Sequence, residues 1–174
     1  TTATVNVLTR DIEGTADGSA VVTTISGNMG ANLKATAPIK DGYEFLYWEK
    51  GIGRDRRAVC YEPEYSFKAT SGGMWLTAVY RNSSSEALPV TFYNAIGDEL
   101  STAVYSEGDT VTVPSVPAFE NYAFAGWECA ETGDVYADGD AIIAEGKQMR
   151  IVAQYEDAQT ANIALSIVLQ TLTF

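Results

Sequence analysis

The chain has 174 residues, a formal charge of −12 and no histidine. Without histidine it lacks the commonest general base and the commonest protein ligand for metals. The excess of acid argues against phosphate backbones and anionic lipid as partners.

In chain order, Thr4-Val-Asn-Val-Leu8 reads as a short opening strand, and the Gly/Asp-containing stretch Glu13 to Gly18 as a turn. A second strand is expected over Ala20–Ile25, ending at Gly27. Beyond Pro38 comes Tyr43-Glu-Phe45-Leu-Tyr47-Trp48, where strict alternation puts Tyr43, Phe45 and Tyr47 on one face and Leu46 and Trp48 on the other. Large apolar groups on both faces mark a central, doubly covered strand. A polar hairpin follows from Glu49 to Ala58, and a last strand, Leu76-Thr-Ala-Val-Tyr80, closes the segment. Arg81 to Ala87 is Ser-rich and polar, with linker composition.

The same series then starts again. Pro89–Tyr93 opens, Gly97-Asp98 turns, Thr102–Tyr105 returns, and Tyr122-Ala-Phe124-Ala-Gly-Trp127 repeats the aromatic run seventy-nine positions after Tyr43. Pro117 precedes Tyr122 by five residues, as Pro38 precedes Tyr43, and Ile151-Val-Ala-Gln-Tyr155 closes the copy. A fixed-period repeat makes half the chain the unit of folding. The expected division is 1–81 as a first repeat, 82–87 as a linker and 88–156 as a second repeat. Residues 157–174 would be a C-terminal strand or the start of a further unit, since Ile163, Leu165, Ile167 and Leu169 alternate with smaller or polar residues. That stretch is too short and too broken by polar residues to span a membrane. The fold class is all-β, mostly strand with α+β as the neighbouring class, in two tandem small domains. The charge is unevenly shared: residues 1–81 hold nine acids and nine bases, whereas 88–156 hold twelve acids against Lys147 and Arg150, a balance of −10.

Recurrence of Tyr43, Phe45, Trp48 and Tyr80 as Tyr122, Phe124, Trp127 and Tyr155 assigns these eight to the two cores. Tyr47 and Trp75 break the repeat pattern and are candidates for an exposed aromatic surface. Arg54, Arg56 and Arg57 crowd the hairpin of a neutral repeat, where a basic tip could dock on the acidic one. Asp134, Asp138 and Asp140 are hard-oxygen groups suited to calcium, but their spacing is not that of an EF-hand and Asp-Gly turns explain it. No cofactor is expected. Cys60 and Cys129 fall at non-equivalent points of the repeats, which excludes a repeated disulfide framework or a zinc cluster; two unpaired, half-buried thiols are expected, a single Cys60–Cys129 bridge being the alternative if the repeats pack closely. The chain begins at Thr1 without a signal-peptide pattern and is expected to be a segment of a longer protein.

The order of β-hairpin, Gly-Asp turn, Pro, Tyr-x-Phe-x-x-Trp, polar hairpin and closing Ala-x-Tyr resembles the Listeria–Bacteroides (internalin B-type) repeat. Repeat two carries the likeness through Glu107-Gly108-Asp109-Thr110, Pro117, Tyr122, Phe124, Gly126-Trp127 and Ala153-Gln-Tyr155, and repeat one through Asp41-Gly42-Tyr43-Glu-Phe45, Trp48 and Leu76-Thr-Ala-Val-Tyr80. Tyr47 stands where the family has Gly before the Trp. The resemblance implies β-grasp-like sheets, a bacterial cell-surface, extracellular address and a stalk or adhesion module that is not an enzyme. Its partner would be a protein or glycan at the cell surface, or neighbouring repeats, with neither nucleic acid nor membrane insertion. The competing expectation is a carbohydrate-binding module on a secreted enzyme, for which an exposed, coplanar pair among Tyr47, Tyr61 and Trp75 would speak.

Overall fold

A computed structural model of the chain describes residues 1–14, 21–52, 55–70 and 73–158. The chain divides into two compact units, Thr1–Ala87 and Leu88–Phe174. The stretch read as a C-terminal strand lies outside the described residues except for its first two positions, as does most of the turn before Ala20.

Unit 1 contains β1 (Thr2–Asp11), β2 (Val21–Asn28), β3 (Asn32–Thr36), β4 (Tyr43–Lys50), β5 (Arg57–Cys60), β6 (Glu64–Lys68) and β7 (Gly73–Asn82). Five of them form one sheet in the order β2-β1-β7-β4-β5, and β3 pairs with β6 in a second, two-stranded sheet. The first and last strands lie parallel at the sheet centre, paired from Thr4↔Gly73 to Asp11↔Tyr80, and the other neighbours are antiparallel. This is the strand arrangement of a β-grasp. Alternation along β1 sends Val5 and Val7 into a core with Trp48, Met74, Leu76, Ala78 and Tyr80. The small β3–β6 sheet supplies Ala35, Leu33, Tyr65 and Phe67 to the same cluster. β7 continues through Asn82, one residue past the expected repeat end.

Unit 2 repeats the plan with β8 (Ala87–Tyr93), β9 (Glu99–Ser106), β10 (Tyr122–Cys129), β11 (Val135–Tyr136) and β12 (Met149–Asp157). Its sheet order is β11-β10-β12-β8-β9, with β8 and β12 parallel over Met149↔Val90 to Val152↔Tyr93. The counterpart of the β3–β6 sheet is reduced to a single bridge, Thr110↔Ile143. Leu88, Val90, Phe92, Trp127, Ile142 and Ile151 form its core.

Strict alternation fails on β4, and the reason explains the motif. The register with β7 slips between Phe45↔Tyr80 and Tyr47↔Val79, so one extra residue is inserted on β4. Such a bulge flips the phase of every later side chain. Trp48 therefore shares the face of Tyr43 and Phe45 in the main core, whereas Leu46 and Tyr47 turn to the opposite face with Val79. The same slip occurs on β10 between Phe124↔Tyr155 and Gly126↔Gln154. The spacing Phe-x-x-Trp, which is out of step for a regular strand, is what a bulge requires to bring both rings to one side. Phe45 and Trp48 meet at 6.0 Å, Phe124 and Trp127 at 5.4 Å.

Candidate interaction surface

The closing tyrosines reach back to the prolines of the repeat. Tyr80 is buried, and its hydroxyl donates to the Pro38 carbonyl at 2.5 Å. Tyr155 makes the same bond to the Pro117 carbonyl. Each bond ties the last strand of the sheet to the crossing segment that covers the core, so the Pro and the closing Tyr act as one clamp. Burial pushes the Tyr80 hydroxyl up to about 12 and raises that of Tyr155. The sequence offered the Pro-to-Tyr recurrence as spacing only; the partnership, thirty-eight or forty-two positions apart, is a tertiary fact.

Two residues after each proline, one turn geometry presents two different side chains. The Tyr43 N–H donates to the Lys40 carbonyl and the Tyr122 N–H to the Phe119 carbonyl, both at 3.1 Å. Gly42 and Asn121 occupy the matching left-handed position, with φ of 79° and 67°. In unit 1 the Lys40 ammonium lies 4.2 Å from the Tyr43 ring centroid and 5.8 Å from that of Tyr80. In unit 2 the Phe119 ring lies 5.0 Å from Tyr122 and 5.3 Å from Tyr155.

Seven of the eight expected core aromatics are buried in their clusters or half-buried against them, and Trp48 and Trp127 are both fully enclosed. Tyr155, half-buried, packs against the unit 2 cluster. Tyr122 is the correction. At the start of β10 it is 49% exposed and rests against Phe119, which is itself exposed, whereas the equivalent Tyr43 packs against its core under Lys40.

Tyr47 is corrected in the other direction. The bulge turns it onto the second face, where it is buried against Tyr61 at 5.6 Å with a 49° tilt between the rings. Beside it Glu49, also buried, holds the Arg10 guanidinium in a two-point ion pair. Trp75 is 37% exposed. Tyr47, Tyr61 and Trp75 therefore do not form an exposed coplanar pair.

Of the three hairpin arginines, Arg54 lies outside the described residues. Arg57 is exposed and donates to the Arg56 carbonyl at 2.7 Å. Arg56 is half-buried, with a buried Nε that has no hydrogen-bond partner among the described residues. It packs into the hairpin instead of projecting as a basic tip.

Asp140 accepts the Ala137 N–H at 2.9 Å, and the Asp134 N–H donates to the Thr132 hydroxyl, so both serve turns. Asp138 is exposed. Among the described residues no three acidic, Cys or His groups converge as a metal site would require. A cleft of about 470 Å3 in unit 2 is lined by Glu107, Glu131, Glu145, Lys147 and Met149, among others. Glu131 is engaged there by the Arg150 backbone N–H at 2.8 Å and its guanidinium at 2.5 Å. Cys60 is half-buried and Cys129 buried, both as free thiols.

Geometry of this kind, a clamped sheet carrying its recurring aromatics internally, defines a repeat module. Residues 89–154, all within unit 2, match the model of the Listeria-Bacteroides repeat domain. Unit 2 is a repeat of that family, which is typical of bacterial surface or secreted proteins. No curated protein matches the chain.

Proposed function

We propose that the chain is a non-enzymatic, extracellular spacer of a bacterial surface protein, built to carry tension along a stalk. The observation that carries this reading is the parallel pairing of the first and last strands in each unit. Pulling the two ends of such a unit apart drags β1 and β7, or β8 and β12, along each other, so all their inter-strand hydrogen bonds are loaded together. A hairpin pulled from its open end would break them one at a time. All the motif aromatics but Tyr122 pack in or against the cores, which leaves the repeats with the character of structural parts.

An adhesive role is compatible with the same architecture and is developed below. The carbohydrate-binding alternative loses its main support with the burial of Tyr47 and the tilt of Tyr61 against it.

Single-molecule stretching from the two ends tests the proposal. Unit 1 pairs eight residues of β1 with β7, whereas β8 and β12 pair four. Two unfolding events are expected, with unit 2 opening first. Unfolding of both units at forces typical of unzipped hairpins would refute the stalk reading.

A further inference from the structure

We infer that the corner formed by Phe119, Tyr122 and Tyr155 is a docking site for a lysine- or arginine-bearing segment of a partner protein. Three observations lead there. The first is exposure: Phe119 is 41% and Tyr122 49% exposed, and the rings lie 5.0 Å apart on an otherwise strongly acidic unit.

The second is the comparison inside the chain. At the equivalent corner of unit 1, reached by the same turn, a cation already sits over the equivalent tyrosines: Lys40 over Tyr43 and Tyr80. The slot therefore accepts an ammonium when its own unit supplies one. Unit 2 replaces that lysine with Phe119, adding a third ring, and among the described residues no cation lies over these rings.

The third is charge, read through the register. In unit 1 the corner carries Lys40, Asp41, Glu44 and Arg81, two of each sign, with Asn82 facing Tyr43 across the strands and Arg81 paired to Glu44. The matching positions of unit 2 are Phe119, Glu120, Ala123, Glu156 and Asp157: three carboxylates and no base, with Asp157 on the face of Tyr122 and Tyr155 and Glu156 alternating to the other face. Asp157 stands opposite Tyr122, where unit 1 has the neutral Asn82. Aromatic faces beside carboxylates are the chemistry that recognises an ammonium or guanidinium. Residues 159–174 contain neither Lys nor Arg. The −10 balance over 88–156 sets the long-range attraction toward a basic partner.

This inference deepens the adhesive side of the proposed function and is independent of load-bearing, so stretching and binding can fail separately. The test is an NMR titration of the full chain with an unstructured peptide of alternating Gly and Lys, alongside Gly–Arg, Gly–Ser and Gly–Glu peptides of equal length. Amide shifts at 119–122 and 155–157 are expected to move with the Lys and Arg peptides only. Phe119→Lys, which rebuilds the unit 1 corner and fills the slot from within, should weaken binding roughly five- to tenfold. Asp157→Asn should weaken it by a smaller factor, and Glu145→Gln, at the distant cleft, should leave the corner shifts unchanged. Thermal unfolding verifies that each variant is folded. Shifts spread evenly over the acidic surface, or Phe119→Lys and Glu145→Gln behaving alike, would overturn the assignment, as would equal response to the Ser peptide.

Discussion

Replacing Tyr80 by Phe isolates the clamp, because it removes one oxygen and leaves the ring against Phe45 at 5.9 Å. The lost bond is short, part-buried beneath a buried ring and made to a backbone carbonyl that loses this donor. Removing one partner of such a pair costs about 1–3 kcal/mol, which in a domain this small lowers the melting temperature by about 4–8 °C for each kcal/mol. The hydroxyl also creates a dependence on pH. Its folded-state pKa is pushed up to about 12, against 10.0 for the ordinary group. The unfolded chain therefore releases this proton first as pH rises. The contribution to stability is complete below pH 10 and is lost between 10 and about 12, amounting to about 2–3 kcal/mol across that window. Urea unfolding of parent and Tyr80→Phe, followed by tryptophan emission at pH 7, 9 and 11, measures both effects. The variant should start lower at pH 7 and fall less steeply above pH 10. Equal stability at pH 7, or an unchanged alkaline slope, would refute the clamp.

The remaining predictions concern the bulge and the core. Truncating Trp48 or Trp127 to Ala should cost roughly 3–5 kcal/mol in its own unit. The milder change to Phe should separate them, since the Trp48 indole donates to the Pro63 carbonyl at 3.1 Å while the buried Trp127 Nε1 has no hydrogen-bond partner among the described residues. Trp48→Phe is thus expected to cost about 1 kcal/mol more than Trp127→Phe in urea unfolding, and the reverse order would show that the indole bond contributes nothing. Gly126 has φ of 133°, and a Cβ there would lie 2.8 Å from the Tyr136 carbonyl oxygen and 2.8 Å from Val135 Cγ1. Gly126→Ala should destabilise unit 2 by roughly 1–3 kcal/mol and leave unit 1 unchanged by differential scanning calorimetry; a neutral effect would mean that β11 yields without strain.

The all-β class was legible from β-branched and aromatic composition and from turn residues at short intervals, because these are local preferences. The duplication was legible for a different reason: two copies of one spacing within one chain expose the unit without reference to any fold. What escaped the sequence was non-local. Alternation along Tyr43–Trp48 implied that Trp48 opposed Phe45, and only pairing with β7 revealed the inserted residue that brings them together. That shift moved Tyr47 from the expected surface into the second-face cluster. The Gly at 126 is explained by the close approach of β11, which no pattern on β10 encodes. Parallel pairing of first and last strands, the bond from Tyr80 to Pro38, and the equivalence of Lys40 with Phe119 all join residues far apart or in different copies. A sequence determines on its own what each residue prefers and how its neighbours alternate. Which distant strand it meets, and therefore which face a ring occupies and which charge it lies beside, is decided by the packing of the whole sheet.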